Sequence, residues 1–213
     1  MTRIHAQLAL LAVGFLIATL VMGLWTGGRL NEMWRLEYRL REAERDTAHS
    51  PHSAASWRQP SDELDPEAVQ QAARLHRLMG IAAALVVMLV NGITVTYFVG
   101  TSRWCREVVE TYCLDPALTR ESATLKRRTF PWTLCAMLSI VGVAALGALS
   151  DPMTGQAGTW DLLIWHHLAA LSAIAFIALV FYVQRLNIAA HHAVIKRIMQ
   201  QVRRIRAQRG LEV

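Results

Sequence analysis

Four stretches of this 213-residue chain contain no aspartate, glutamate, lysine or arginine. Each reaches the roughly 20 residues that an α-helix needs to cross a hydrocarbon core about 30 Å thick. Because backbone groups in lipid must satisfy one another, such stretches are helices rather than irregular chain. The sequence therefore predicts an all-α, polytopic membrane protein. Its four transmembrane helices are predicted at about 4–28, 78–101, 129–150 and 162–184.

Composition supports a membrane protein built as a single domain, 1–213. Hydrophobic residues make up 54% of the chain and charged residues 18%, against about 45–50% and about 25% in soluble domains. The first apolar stretch is about 18 residues long, which exceeds the usual 7–15-residue core of a signal peptide. We therefore expect an uncleaved first helix.

The distribution of basic residues predicts the orientation. The segments 102–128 and 185–213 are rich in arginine, whereas the short link 151–161 contains neither arginine nor lysine. Basic residues accumulate on the cytoplasmic side of a membrane. We therefore expect both termini and the 102–128 segment to be cytoplasmic, with the 29–77 segment on the opposite side.

The long 29–77 segment is predicted to form an extracytoplasmic helical hairpin. Interleaved apolar and charged residues indicate an amphipathic helix from Arg29 to about Asp46. A loop follows, and Pro66 is expected to begin a second helix because proline fits the first helical position. No helix breaker separates that helix from the second span, so it should continue to about Gly100.

Amphipathic helices are also predicted on the cytoplasmic side. Thr101 or Ser102 is expected to start a separate helix, and Asp115 followed by Pro116 to start another. The tail 185–213 has apolar residues at helical spacing and a basic opposite face. Such a helix can lie on anionic lipid, or it can extend the fourth span and pack on the other cytoplasmic helices.

The charge of the chain fits membrane topology better than nucleic-acid binding. The net charge is +6, but the basic residues cluster beside the apolar stretches. Only two of the 22 basic residues are lysines, a bias typical of GC-rich bacterial genomes. We expect the inner (plasma) membrane of a bacterium, with membrane lipids and either protein partners or further copies of the chain as contacts, and no nucleic acid.

Catalytic signals are missing from the sequence. It contains no motif for nucleotide binding, serine hydrolysis or metalloprotease chemistry. The predicted spans also lack the ionisable carboxylates and amines that mark transport and proton-pumping routes. We therefore expect no enzymatic activity and no metal centre. Polar residues within the spans, such as Asn91, are interpreted as interhelical hydrogen-bonding groups.

Three histidines are the candidate cofactor ligands: His76, His166 and His167. His76 lies at the outer entrance of the second span, and the adjacent pair lies in the outer part of the fourth. A four-helix bundle can bring His76 opposite one member of the pair, and imidazole is a frequent haem ligand. This arrangement is similar to that of membrane b-type cytochromes at the level of architecture alone. Consecutive helical residues point about 100° apart, so one ligand can engage only one of the pair.

The alternative interpretation gives these histidines no cofactor. His166 and His167 would then hydrogen-bond to water or lipid headgroups near the membrane surface, beside two tryptophans, or border a quinone site. His5 and the pair His191 and His192 could form a second cluster, which we expect to be solvated because it lies outside the hydrocarbon of the membrane.

Three functional hypotheses follow. The leading one is a non-enzymatic accessory subunit or scaffold that docks partners through its extramembrane helices and carries no cofactor. The second is a membrane redox subunit in which His76 and either His166 or His167 bind haem b. The third is a membrane sensor, which would need a separate output partner because no output domain follows the last span.

Overall fold

The computed structural model describes residues 2–49, 66–150 and 159–210. Within these residues the chain is all-helical, which confirms the all-α part of the predicted fold class. All four helices are long and apolar enough to cross a membrane. They are α1 (Thr2–His49), α2 (Pro66–Thr111), α3 (Ala117–Leu149) and α4 (Thr159–Gln208).

The helices form an up-and-down bundle. α1 packs on α2, α2 on α3, α3 on α4 and α4 on α1, whereas contact across the diagonals is much weaker. We call the end that holds the start of α1, the end of α2, the start of α3 and the end of α4 the proximal end. The opposite end, with the start of α2 and the start of α4, is the distal end.

The interior of the bundle is apolar and closely packed. Small residues such as Ala12, Ala83 and Ala136 lie fully buried beside Val87 and Ile177. Small side chains let helix backbones approach closely, which is how helices pack in a bilayer. The large apolar side chains instead cover much of the outer surface, among them Leu10, Leu78, Leu85, Leu138 and Leu171.

Three helices continue past the predicted spans and pack around a second core. We call this part the stalk: residues 102–111 of α2, 117–128 of α3 and 185–208 of α4. Its core side chains are all buried; they are Cys105, Val109, Leu118, Val194, Ile198 and Val202. The tail was predicted either to lie on lipid or to extend the fourth span and pack on the other helices. The structure has the second arrangement, because α4 continues as one helix and packs on α2 and α3.

The expected helix start at Thr101 or Ser102 is wrong. α2 passes through both residues without a break. The Thr101 hydroxyl donates to the carbonyl of Tyr97, a bond to the preceding turn that is typical of threonine inside a helix rather than at its start. A change from apolar to charged sequence therefore marks a change of surroundings here, and not the end of a helix.

Two other predicted helix starts are confirmed, whereas the segment expected to form an amphipathic helix from Arg29 is part of α1, which runs without a break from Thr2 to His49. α2 begins at Pro66, and α3 begins at Ala117 directly after Asp115 and Pro116. The Asp115 carboxylate accepts the backbone N–H of Ala117 at 2.8 Å, which satisfies one of the free donors at the helix start. The predicted loop of the hairpin falls largely on residues 50–65, outside the described part of the chain.

Candidate functional site

The three candidate histidines come together at the distal end of the bundle. The His166 and His167 ring centroids lie 5.7 Å apart. His76, on the diagonally opposite α2, packs against Gly23 of α1, about one helical turn from Gly27, which His167 faces. His76 and the histidine pair therefore lie at the same end of the bundle.

Each of these imidazoles packs against a glycine of the adjacent helix. A Cβ atom added at Gly23 of α1 would lie 2.6 Å from Cε1 of His76, and one added at Gly147 of α3 would lie 2.8 Å from Cε1 of His166. His167 faces Gly27 of α1 at a looser 3.4 Å. Because real Cβ contacts are not this short at the first two positions, any other residue there would force the facing imidazole ring to shift.

The orientation of each imidazole ring determines whether its nitrogens can reach a ligand. The edge carrying the two nitrogens faces the glycine backbone at both His76 and His166. His166 turns toward α3 and His167 toward α1, which agrees with the roughly 100° between consecutive helical residues. Among the described residues, no group of three metal-ligating side chains is arranged around one point.

The glycine contacts predict a position-specific effect of alanine on α3. In Gly147→Ala the new methyl group collides with the His166 ring, so we expect a loss of about 1–3 kcal/mol in the free energy of unfolding. The matched control is Gly142→Ala on the same helix, where nothing lies within 4 Å of the added Cβ.

The control should be neutral or more stable by up to about 1 kcal/mol, because alanine favours a helix over glycine. Reversible unfolding in mixed micelles measures both variants. Equal stability of the two variants would mean that the His166 ring does not occupy the space beside Gly147.

A second polar site lies toward the proximal end, centred on the fully buried Gln184 of α4. Its amide oxygen lies 3.1 Å from Nε2 of His5 and 3.3 Å from the Thr94 hydroxyl. Its amide nitrogen donates to Asn91 Oδ1 at 2.8 Å and to Thr133 Oγ1 at 3.0 Å. One side chain thus joins all four helices, and we call it the Gln184 hub.

The hub has a single consistent assignment of donors and acceptors. The Asn91 amide nitrogen is committed to the carbonyl of Val87 at 2.8 Å, so Asn91 Oδ1 is the acceptor for Gln184. The Gln184 oxygen then receives a hydrogen from His5, and it shares the single hydrogen of the Thr94 hydroxyl with the carbonyl of Val90, which lies 3.0 Å from that hydroxyl. Two N–H donors and two lone pairs complete the capacity of a primary amide, so Gln184 is fully satisfied.

Polar contacts continue from the hub into the stalk along one face of α4. Asn187 donates to the Thr129 hydroxyl at 2.9 Å. One turn further on, Nε2 of His191 lies 2.8 Å from the hydroxyl of Ser122, which donates to Ser102 at 3.1 Å. These contacts tie α4 to α3, and through Ser102 to α2, where the bundle becomes the stalk.

The expectation that His5 and His191 are solvated is wrong. His5 is 5% exposed and His191 is fully buried, each inside a polar group of its own, while His192 is exposed. Sequence reasoning placed them outside the hydrocarbon and took the edge of the hydrocarbon as the edge of the packed interior. Gln184 was overlooked for the same reason, since it stands at the last position of its stretch.

A groove of about 550 Å³ runs along the outer face of α2. Its floor contains Gly92, Thr96 and Gly100 at four-residue spacing, and these small residues leave a depression in the helix surface. An added Cβ at either glycine would meet no atom within 4 Å. This surface is therefore open in the single chain.

Comparison of the chain with protein-family models, with curated proteins and with solved structures finds no match.

Proposed function

We propose that this chain is a multi-pass membrane protein and acts as a non-enzymatic docking subunit, with the stalk as its docking element on the cytoplasmic side. The observation that carries the proposal is the continuity of the stalk with the bundle. α4 extends about 36 Å beyond residue 184 at 1.5 Å per residue, without a break. A partner bound there would be held at a fixed distance and orientation.

Insertion in a membrane is supported by the inverted distribution of side chains. Large apolar residues such as Leu10, Leu85 and Leu138 face outward, while Gln184 and Asn91 are buried inside. In water, such an outer surface would be an aggregation hazard, since soluble monomers rarely expose large continuous apolar patches. In lipid the same surface costs nothing, and the polar groups satisfy one another.

The basic face of the stalk supports a protein partner rather than lipid. Lys196, Arg203 and Arg204 are exposed on the side of α4 that faces away from the stalk core. Arg203 lies about 28 Å along the helix from residue 184, and charges are screened within about 8 Å at physiological ionic strength. Attraction to lipid headgroups therefore does not account for basic residues so far along the stalk.

An ion pair helps to give the stalk a defined shape. Arg197 of α4 donates to both carboxylate oxygens of Glu121 of α3 at 2.6 Å. Both side chains are about half exposed, so the pair itself contributes no more than about 1 kcal/mol. It nevertheless fixes one side of α4 against α3, while the exposed Arg203 lies about 120° around the helix from Arg197.

Photocrosslinking tests the docking role directly. A photoreactive amino acid is placed at Gln200, which is exposed on the stalk, and in a matched variant at Leu138, which is exposed on the outer face of α3. In native membranes we expect a discrete protein adduct from position 200 and mainly lipid adducts from position 138. The Arg203→Glu, Arg204→Glu double variant should lose the stalk adduct.

No protein adduct from position 200, in a chain that is folded and present at normal abundance, would contradict the docking proposal. An adduct between two copies of the chain would identify the partner as the chain itself. An adduct that survives the double charge reversal would assign the contact to a surface other than the basic face.

A second candidate function is supported by the convergence of the distal histidines. His76 of α2 and the pair His166 and His167 of α4 stand on diagonally opposite helices at one end of the bundle, where a haem iron could take one imidazole from each helix. Haem would supply one-electron transfer there. For that, His76 and His166 would have to turn their nitrogen-bearing edges away from Gly23 and Gly147.

A reduced-minus-oxidised visible spectrum tests this candidate. Full-length protein is expressed with haem supplied and purified in detergent. A redox subunit predicts a sharp α-band at near-stoichiometric haem, lost in His76→Ala and retained in His192→Ala, whose histidine is exposed at the proximal end. A folded, helical and colourless protein would eliminate the haem function and leave the docking proposal untouched.

A further inference from the structure

Within the described part of the chain, the bundle has four helices and the stalk has three. In the bundle α1 lies between α2 and α4 and packs on both of them. Ile4 and His5, near the start of α1, border a small cavity together with Tyr97 of α2 and Ile188 of α4. Thr2 lies only about 3 Å of helix rise beyond Ile4. Beyond this level, the described part of α1 does not cover the side of the stalk between α2 and α4.

The face of α2 that packs on α1 continues into the stalk. Val90 and Tyr97 lie on that face, since both border the cavity at the start of α1. Trp104 follows Tyr97 by seven residues, as Tyr97 follows Val90, and seven residues bring an α-helix back to nearly the same face. Trp104 therefore points to the side on which α1 lies in the bundle, about 10 Å further along α2 than Tyr97.

The matching face of α4 continues in the same way. The ring of Phe181 lies edge-on to that of His5, with centroids 6.3 Å apart, and Ile188 borders the cavity at the start of α1. Ile195 is the next residue at this seven-residue spacing, and Met199 lies one turn further on. The position that α1 occupies in the bundle thus has an apolar counterpart on α4 in the stalk.

Together these residues form an apolar surface on two helices. We call it the open side of the stalk: Trp104 and Val108 of α2 with Ile195 and Met199 of α4. Trp104 and Met199 are each 36% exposed, and Val108 and Ile195 are partly buried against the stalk core. An apolar strip along two adjacent helices is the kind of surface into which an amphipathic helix packs.

Lipid tails do not account for the open side. Arg103, which precedes Trp104, forms an exposed ion pair with Glu107 at 2.8 Å, and Lys196 is exposed directly after Ile195. Charged side chains within hydrocarbon are costly, so this level of the stalk lies outside it. Tryptophan and methionine are not exposed there for lipid, and both are enriched where proteins bind one another.

The edge of the open side along α4 is basic. Lys196 and Arg203 flank Met199 three residues before and four residues after it, on the same part of the helix surface, and both are exposed. α4 contributes no acidic residue to the stalk. Two acidic residues of the other stalk helices, Glu107 and Glu121, already pair with arginines. A second copy of the chain therefore has few carboxylates with which to complement this edge.

We infer that the open side of the stalk binds an amphipathic helix of a partner protein, apolar toward Trp104 and Met199 and acidic toward Lys196 and Arg203. The bound helix takes the position beside α2 and α4 that α1 has in the bundle, and it completes a four-helix arrangement. The inference rests on the proposed docking function, to which it adds the kind of segment that binds and the surface that receives it. Arginine can pair with a carboxylate through two parallel N–H bonds, which fixes the orientation of the bound helix.

Photocrosslinking of the full chain in native membranes tests the inference. A photoreactive phenylalanine analogue replaces Trp104, which keeps an aromatic ring on the open side. In a matched variant it replaces Arg106, which is exposed about 200° around α2 from Trp104. We expect a protein adduct from position 104, the same adduct from the analogue at Met199, and little from position 106. Mass spectrometry should map the adduct to an acidic segment with apolar residues at helical spacing.

Charge reversal tests the basic edge. Arg203→Glu should lower the adduct yield from position 104 roughly tenfold, because a repulsive contact replaces an attractive one. Arg120→Glu, at an exposed position of α3 in the stalk, makes the same change of charge away from the open side and should leave the yield unchanged.

Several results would overturn the inference: equal yields from positions 104 and 106, adducts with lipid or nucleic acid alone, an adduct between two copies of the chain, a captured segment that is not acidic, or a yield insensitive to Arg203→Glu. If position 200 still gives a protein adduct in such a case, the docking function stands and only the surface and the kind of segment are wrong. If position 200 gives none either, the docking function fails as well.

Discussion

The four hydrogen bonds of the buried Gln184 amide constrain the rest of the structure. An amide in an apolar interior is costly unless all its donors and acceptors are paired. Its partners here come from the other three helices: His5 from α1, Asn91 and Thr94 from α2, and Thr133 from α3. Because every partner has a fixed height in the bundle, sliding or rotating one helix would break the set. Apolar packing alone, with small residues facing small residues, selects register less strictly.

The same helix carries this constraint outward into the stalk. Asn187 and His191 follow Gln184 on the same side of α4 and bond to Thr129 and Ser122 of α3. Beyond them the contacts become apolar, from Val194 to Val202. α4 therefore passes from a polar hub to an apolar stalk core without changing the face it buries. The direction of the stalk is set by the helix that the hub holds in place, which is the property that the proposed docking role requires.

The sequence predicts the part of the fold that depends on average polarity. Four uncharged stretches were enough to identify four apolar helices, and a proline at the first helical position marked the start of α2 correctly. The continuity of α2 through Ser102 was not predicted, because a helix can continue where its sequence changes from apolar to charged. Asn91 was recognised as an interhelical hydrogen-bonding group, but its partner Gln184 was not, since polarity along the chain contains no information about helix rotation.

For the histidines, too, the position along a helix could be predicted from the sequence, but the rotation of the helix about its axis could not. The placement of His76 at the same end of the bundle as His166 and His167 could be predicted from position along the helices, because all three lie near the starts of α2 and α4, which run in the same direction. The burial of His5 and His191 could not, because it depends on which way each helix is turned. Gly23 and Gly147 are the sequence features that could have indicated the contacts of His76 and His166, since a glycine opposite a bulky ring permits a close approach. That signal is visible only once the facing residue is known.

The most direct test of this account is the stability of Gln184→Leu against Gln200→Leu, a matched change at an exposed position of the same helix. Reversible unfolding in mixed micelles gives both values. Four interhelical hydrogen bonds at about 0.6 kcal/mol each predict a loss of roughly 2–3 kcal/mol for Gln184→Leu and little change for Gln200→Leu. If the two variants were equally stable, the polar hub would not be what holds the four helices in register.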